Sequence, residues 1–374
     1  MSEGRVDRIP PGVAAAADYE AVARAVLDEA AFAYLNGGAA DEITLHENRR
    51  AWASLRLMPR VLRRLAGGHT RVELLGRTWP HPILIAPVAY QCLAHPQGEV
   101  ATAHAAAAQG SGLVLSTQSS APLEQVAQVC LAEPARGPLW FQFYLQHDRG
   151  FSQALLERAE RAGYEALVMT VDAPVQGPRD RERRAGFRLP TGISAVNLAG
   201  LGPLPPADTG AGRSALFDGL LRHAPTWDDL AWLRGITRLP IVLKGVLHPD
   251  DARQACALGV DALVVSNHGG RTLDTAPATA HCLPAIADAV GDTLPLLVDG
   301  GIRRGTDVLK ARALGARAVL IGRPVVHALA SAGAVGVAHL LRLLRDELEI
   351  AMALCGCASL DEVTRAVLAE SAMP

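Results

Sequence analysis

The stretch Gly259-Val-Asp-Ala-Leu-Val-Val-Ser-Asn-His-Gly-Gly-Arg271 decides the fold. Gly259 can end a helix, Ala262 opens an apolar run to Ser266, and a polar, glycine-rich exit follows. A short run without polar alternation suits a parallel strand buried on both faces. The same Gly-x-x-Ala opening recurs at Gly163–Ala166 and Gly315–Ala318. Working outward, eight such β-rich runs alternate with helical stretches: 83–88, 113–116, 140–145, 166–171, 241–244, 262–266, 296–298 and 318–321. Eight β–α units predict an α/β fold, a TIM-type (β/α)8 barrel, with an open doubly wound sheet as the rival.

The chain has 374 residues, a length one barrel with insertions can reach as a single domain. The expected layout is N-terminal helices over 18–58, the barrel over 82–330 and C-terminal helices over 331–370. Asp18 can cap a helix running to about Leu35, stopped by Gly37, with a second helix from about Glu42 to Leu57. The connection between the fourth and fifth strands, Asp172 to Leu239, is far longer than the others. Its part from Thr191 to Ala211 is rich in Gly and Pro, so 191–225 reads as a mobile loop or lid. Thr226-Trp-Asp-Asp229 and Ser359-Leu-Asp-Glu362 read as capping boxes. Val337, Leu340, Leu341, Leu344 and Leu348 mark one face of a final helix.

A formal net charge of −2 argues against nucleic acid or an anionic membrane as partner. The six cysteines form no C-x-x-C pair, which predicts buried thiols in a reducing compartment rather than disulfides or a metal site. The segment from Met1 to Pro11, with Arg5 and Arg8, lacks an apolar signal core, and no run approaches a membrane span. Ser371-Ala-Met-Pro374 is no peroxisomal address. The expectation is cytoplasmic.

In such a barrel, function sits at the C-terminal ends of the strands. Those ends carry Ala89 and Tyr90, Ser116, Gln142 and Tyr144, Thr170 and Asp172, Lys244, Ser266 and His268, Asp299 to Gly301, then Gly322 and Arg323. His268 can take a proton near neutral pH, and Arg271 can grip a carboxylate in a two-point fork. Together they suggest deprotonation or oxidation beside a carboxylate. Asp172 could orient His268, or simply cap a helix. Asp299-Gly-Gly-Ile-Arg303 and Ile321-Gly-Arg323 offer backbone N–H groups and charge for a phosphate. Lys244 leaves a buried strand and needs an anionic partner, unless it snorkels. No G-x-G-x-x-G follows a strand, which speaks against a Rossmann dinucleotide site.

With these motifs the chain, from about Asp18 to Leu360, resembles the FMN-dependent L-2-hydroxy acid oxidases and dehydrogenases: the glycolate, lactate and 4-hydroxymandelate oxidases and mandelate dehydrogenase. The resemblance rests on Leu243-Lys-Gly, Val265-Ser-Asn-His-Gly-Gly-Arg271, Val298-Asp-Gly-Gly-Ile-Arg-Arg-Gly305 and Ile321-Gly-Arg-Pro-Val325. It implies FMN at the barrel mouth, with Pro87, Val88 and Ala89 against the ring and Ser116, Gln142 and Thr170 on its edges. Lys244 would stabilise the reduced ring and Ser266 would reach the ribityl chain. Asp299, Gly301, Arg303, Gly322 and Arg323 would hold the ribityl and phosphate. Arg179 and Arg271 would bind the substrate carboxylate, Tyr34 and Tyr144 would add hydroxyl contacts, and His268 would be the base, supported by Asp172. Hydride and carbanion routes both need that base. Implied partners are a small 2-hydroxy acid and O2, or else a quinone or protein acceptor, in a homo-oligomer (tetramer or octamer).

The substrate signals are split. Gln118 replaces an aromatic residue of glycolate oxidases. Pro87-Val-Ala-Tyr-Gln91 resembles the 4-hydroxymandelate branch, and Gly177-Pro-Arg-Asp-Arg-Glu182 resembles lactate oxidase. Leu216 to Leu221 is too short and interrupted for a lipid anchor. An FMN barrel isomerase or an inosinate-dehydrogenase-like enzyme is a rival that flavin bleaching by 2-hydroxy acids would separate, and a non-catalytic barrel or binding module is one that predicts colourless protein.

Overall fold

The computed structural model describes residues 8–205 and 212–369. Arg5, the 206–211 end of the irregular stretch and Ser371-Ala-Met-Pro374 lie outside the described residues. Eight parallel strands close a barrel in sequence order: Ile83–Ile85, Gly112–Ser116, Leu139–Phe143, Ala166–Thr170, Ile241–Val246, Ala262–Val265, Leu296–Val298 and Ala316–Ile321. The eighth pairs with the first through Val319↔Ile83, Leu320↔Leu84 and Ile321↔Ile85. Every predicted apolar run is a barrel strand, because each is buried on both faces: inward against the other strands, outward under the helices. The three Gly-x-x-Ala glycines all take positive φ (Gly163 +92°, Gly259 +72°, Gly315 +114°), turning helix into strand where a side chain would strain the backbone. The eighth strand starts two residues before Ala318, with a register shift between Ala316 and Ala318.

Four expectations need correction. The first predicted helix is two, Asp18–Val26 and Glu29–Asn36. Asp28 breaks the run by accepting the Ala31 N–H as the cap of the second, while Asp18 accepts from Ala14 and Ala15 upstream. Ser359 starts only a single 3-10 turn, Leu360–Glu362, with the Glu362 carboxylate taking the Ala358 N–H. The final helix starts at Arg323 and runs to Leu354 across a kink at Ala332 and Gly333. By length and composition it could cross a membrane, but 78% of its most apolar window is buried inside the fold. All six cysteines are free, yet only Cys130, Cys355 and Cys357 are buried. At Thr226, the Asp229 carboxylate accepts the backbone N–H and the helix Asp228–Ile236 follows.

A hairpin, Val72–Leu74 with Arg77–Trp79, precedes the barrel. Arg77 and Arg136 both pair with Glu165, whose other oxygen accepts the Leu139 N–H at the foot of the third strand. The opposite end is covered by the helix Ile43–Ser54. Asn48 and Asn267 exchange two side-chain amide bonds (2.8 and 2.9 Å), and Trp52 Nε1 donates to Gly300 O at 2.7 Å. The N-terminal helices therefore brace the end of the barrel where the strands exit.

Candidate active site

At that end lies a cleft of about 1500 Å³, counting its open mouth. Its wall contains Tyr34, Pro87, Val88, Ala89, Ser116, Gln142, Tyr144, Thr170, Arg179, Lys244, His268, Arg271, Asp299, Gly301, Arg303, Gly322 and Arg323, all foreseen from sequence. Two of the foreseen residues stand behind the wall. Asp172 Oδ1 is 2.8 Å from His268 Nδ1, and Ser266 Oγ accepts from Lys244 Nζ (3.0 Å) and from the His268 N–H (3.1 Å). Ser266 is fully buried and ties Lys244 to the His268 backbone.

His268 stands on a turn that only unusual backbone allows. Its φ is +56°, and Gly269 and Gly270 follow at +64° and +73°. A left-handed histidine is strained and persists only where its surroundings hold it. Here the holders are Asp172 and Ser266 on the side chain and backbone, and Asn267 next to it, whose amide is locked by Asn48 and the Pro277 carbonyl. Gly245 lets Asp172 approach: a Cβ there would fall 2.5 Å from Asp172 Cβ. Burial alone would raise the Asp172 carboxyl, but the charge and hydrogen bond of His268, with Lys244, outweigh it and hold it below its ordinary value. Asp172 is thus a carboxylate, and its grip on Nδ1 leaves Nε2 as the nitrogen free to take a proton.

Lys244 is buried beside Asp299, Nζ to Oδ2 3.2 Å. Burial would discharge the amine, but Asp299 and Asp172 hold its pKa above the usual lysine value. It remains an ammonium at the base of the cleft. Around it Gln142 Nε2, Thr170 Oγ1 and Asp299 Oδ1 are buried without a hydrogen-bond partner in the described structure. Buried polar atoms are rarely left so, and three on one wall point to a polar, flat-edged ligand.

At the next two strand exits, Gly301 has φ +88° and a Cβ there would lie 2.5 Å from Asn48 O. Only glycine admits the backbone approach. Arg323 spends all three nitrogens on carbonyls: Asn36 O (3.1 Å), Gly269 O (2.9 Å) and Gly37 O (3.0 Å). Arg303 donates to Ile302 O. Neither forms an ion pair among the described residues. Burial, then Arg49, drags Arg303 down to about 10, and burial, then Arg271, pulls Arg323 well below its ordinary value. Two partly buried guanidiniums without a carboxylate, Arg323 opening the helix Arg323–Leu354 and Arg303 lining the same cleft, suit a dianion such as phosphate.

Opposite His268, Arg271 Nη1 donates to Tyr34 O (2.9 Å) and Gly37 O (2.7 Å). Arg179 Nη1 is buried without a partner. Tyr34 and Tyr144 are pushed by burial to about 12 and stay protonated donors. Tyr34 stacks on Phe187 at 4.5 Å between ring centroids. The sequence reading missed Asn48, Trp52, Phe187 and Glu182. Asn267 and Glu182 stood inside quoted motifs without a role, and the others carried no local signal.

The FMN-dependent dehydrogenase family model matches residues 23–370 of the chain. An L-lactate oxidase of Alicycliphilus denitrificans is 52% identical, covering 98% of this chain and 99% of the relative. The glycolate oxidase of Spinacia oleracea is 42% identical, covering 94% of each. The crystal structure of a mandelate oxidase with (S)-2-phenylpropionate superposes with a TM-score of 0.84 at 43% identity, covering 95% of this chain and 98% of that one.

Proposed function

The chain belongs to the FMN-dependent dehydrogenase family, and on that premise we propose that it oxidises L-lactate, or a similarly small aliphatic L-2-hydroxy acid, to the 2-keto acid. Its chemistry is FMN-dependent oxidation of a 2-hydroxy acid with O2 as acceptor. The residues present fit the cofactor: unpaired Gln142 Nε2, Thr170 Oγ1 and Asp299 Oδ1 for a polar ring edge, and carboxylate-free Arg303 and Arg323 for its phosphate. Bound there, FMN would take up the two electrons of the substrate and hand them to O2 as hydrogen peroxide.

One observation carries the reading: His268, polarised by Asp172, shares a cleft with Arg179 and Arg271. The guanidiniums bind the substrate carboxylate, which fixes the adjacent C–O–H. Tyr34 and Tyr144, both protonated, donate to the anion. His268 Nε2 accepts the hydroxyl proton, and Asp172 stabilises the imidazolium that forms. Lys244, kept charged by Asp299, holds a positive charge where electron density arrives. A small substituent is supported by the 49–52% identity to L-lactate oxidases, against 43% to the mandelate oxidase. We extend the proposal to a cytoplasmic homo-oligomer, supported for the compartment by six free cysteines and testable by sedimentation.

The test is an anaerobic panel of L- and D-2-hydroxy acids scored by loss of flavin absorbance, then peroxide release under air. L-lactate should bleach the flavin fastest. A protein bleached by none of them is no hydroxy acid oxidase, and one that prefers L-mandelate overturns the substrate assignment.

A further inference from the structure

We infer that Glu182 sets the charge of the carboxylate-binding end of the cleft, so that the enzyme selects monocarboxylates over dicarboxylates. This rests on the reading of Arg179 and Arg271 as the carboxylate grip. Glu182 lines the cleft with its side chain 15% exposed. Its Oε1 lies 3.4 Å from Arg271 Nη2 and 3.9 Å from Arg179 Nε. Two guanidiniums alone would present +2, and each would oppose the other's charge. Burial pushes the Glu182 carboxyl up while Arg271 and Arg179 pull it down, and ionised between them it brings the trio to +1.

Arg303 and Arg323 also line the cleft, but a cofactor phosphate would take up their charge. Asp172 is committed to His268 and Asp299 to Lys244. Tyr34 and Tyr144 are neutral, and Lys244 faces both Asp299 and Asp172, so that side of the cleft has no positive charge to offer a second carboxylate. One substrate carboxylate therefore neutralises the end. A second carboxylate would meet Glu182 without a cation to spare, in a half-buried site where like charges repel strongly.

Glu182 cannot readily swing aside. It sits on the short helix Asp180–Arg184, whose Arg181 pairs with Glu42. Glu42 is in turn fixed by the Gly38 N–H at 2.8 Å. The neighbour of Glu182 is thus tied to the N-terminal helices, which restrains the backbone that carries the carboxylate. Contacts of 3.4 and 3.9 Å are longer than a tight ion pair. They leave both guanidiniums donors to offer an incoming anion, so Glu182 tunes the grip without filling it.

The test compares the holoenzyme with Glu182→Gln by titrating flavin absorbance with oxalate, a dianion, and pyruvate, a monoanion of similar size. Removing one negative charge should tighten oxalate relative to pyruvate by roughly tenfold or more. Glu182→Asp, which keeps the charge, should leave the ratio within about twofold of wild type. An unchanged ratio in Glu182→Gln, with both acids still bound, overturns this inference alone. A tenfold shift in Glu182→Asp overturns it too, and that variant decides the matter should Glu182→Gln lose its flavin. A wild-type spectrum indifferent to both acids would remove the carboxylate grip, and this inference with it.

Discussion

Replacing Asp172 with Asn should slow flavin reduction while leaving substrate binding nearly intact. The carboxylate lies 2.8 Å from His268 Nδ1, buried, and ionised despite that burial. When His268 takes the hydroxyl proton, a full positive charge forms beside it. At an effective dielectric near 20, opposite unit charges about 4 Å apart attract by roughly 4 kcal/mol. An asparagine dipole returns part of that, so a loss of roughly 3–4 kcal/mol in the transition state, or about 10²- to 10³-fold in rate, is expected. The carboxylate grip is elsewhere, on Arg179 and Arg271, so KM should move little. The assay is anaerobic stopped-flow reduction of the bound flavin by L-lactate over a range of concentrations. Bound flavin with its normal visible spectrum would show that the site still assembles. Reduction within about threefold of wild type, or a loss confined to KM, would refute the claim that Asp172 acts through the imidazolium.

Gly301→Ala should yield colourless protein that takes up FMN at least about 100-fold more weakly, because its Cβ would press on Asn48 O at 2.5 Å from a backbone at φ +88°; equilibrium dialysis checks it. Lys244→Met leaves Asp299 buried and unpaired, so the apoprotein should lose about 3–5 kcal/mol in urea unfolding, and a loss under about 1 kcal/mol would contradict the buried pair. His81 donates Nε2–H to Gln109 O and accepts the Ile83 N–H on Nδ1, and burial lowers it from 6.5 to about 4. A depressed histidine binds fewer protons folded than unfolded, so its contribution is full above about 6.5 and is lost as pH falls from there through about 4. His81→Gln should therefore remove roughly 3 kcal/mol of the acid sensitivity in urea titrations at stepped pH.

The barrel was legible because parallel strands under helices are apolar throughout, and eight such runs have one closed solution. The site was legible because strand exits have nowhere to hide polar residues: Lys244, Ser266 and Asp299 follow Leu243, Val265 and Val298 directly, and His268 comes two residues after Ser266. The helix break at Asp28 was not, since the apolar spacing of Tyr19, Ala23, Val26 and Leu27 continues past it and only the cap to Ala31 ends the run. The hairpin at 72–79 has three-residue strands and alternates too briefly to register. Asn48 with Asn267 is a contact across 219 positions, and no local pattern announces it. The partners of Ser266, Lys244 Nζ and the His268 N–H, were not legible either, because a hydroxyl at a strand end can serve a cofactor or a neighbouring side chain.

The distribution of charge along the cleft explains how one rim can bind a dianion, a neutral ring edge and a monoanion in fixed order. Every carboxylate lining or backing the mouth has a side-chain partner: Asp299 with Lys244, Asp172 with His268, Glu182 with Arg271 and Arg179. Arg303 and Arg323 alone have none, and they stand together after the seventh and eighth strands. A phosphate has one place where its desolvation is matched. Asp172 and Asp299 each keep one buried oxygen without a donor. Both carboxylates are incompletely satisfied, which favours ligands bringing their own hydrogen-bond donors to the centre. Cofactor orientation therefore follows from where the protein withholds negative charge as much as from where it places positive charge. Substituting Asp or Glu beside Arg303 or Arg323 should cost flavin binding even where the added side chain has room.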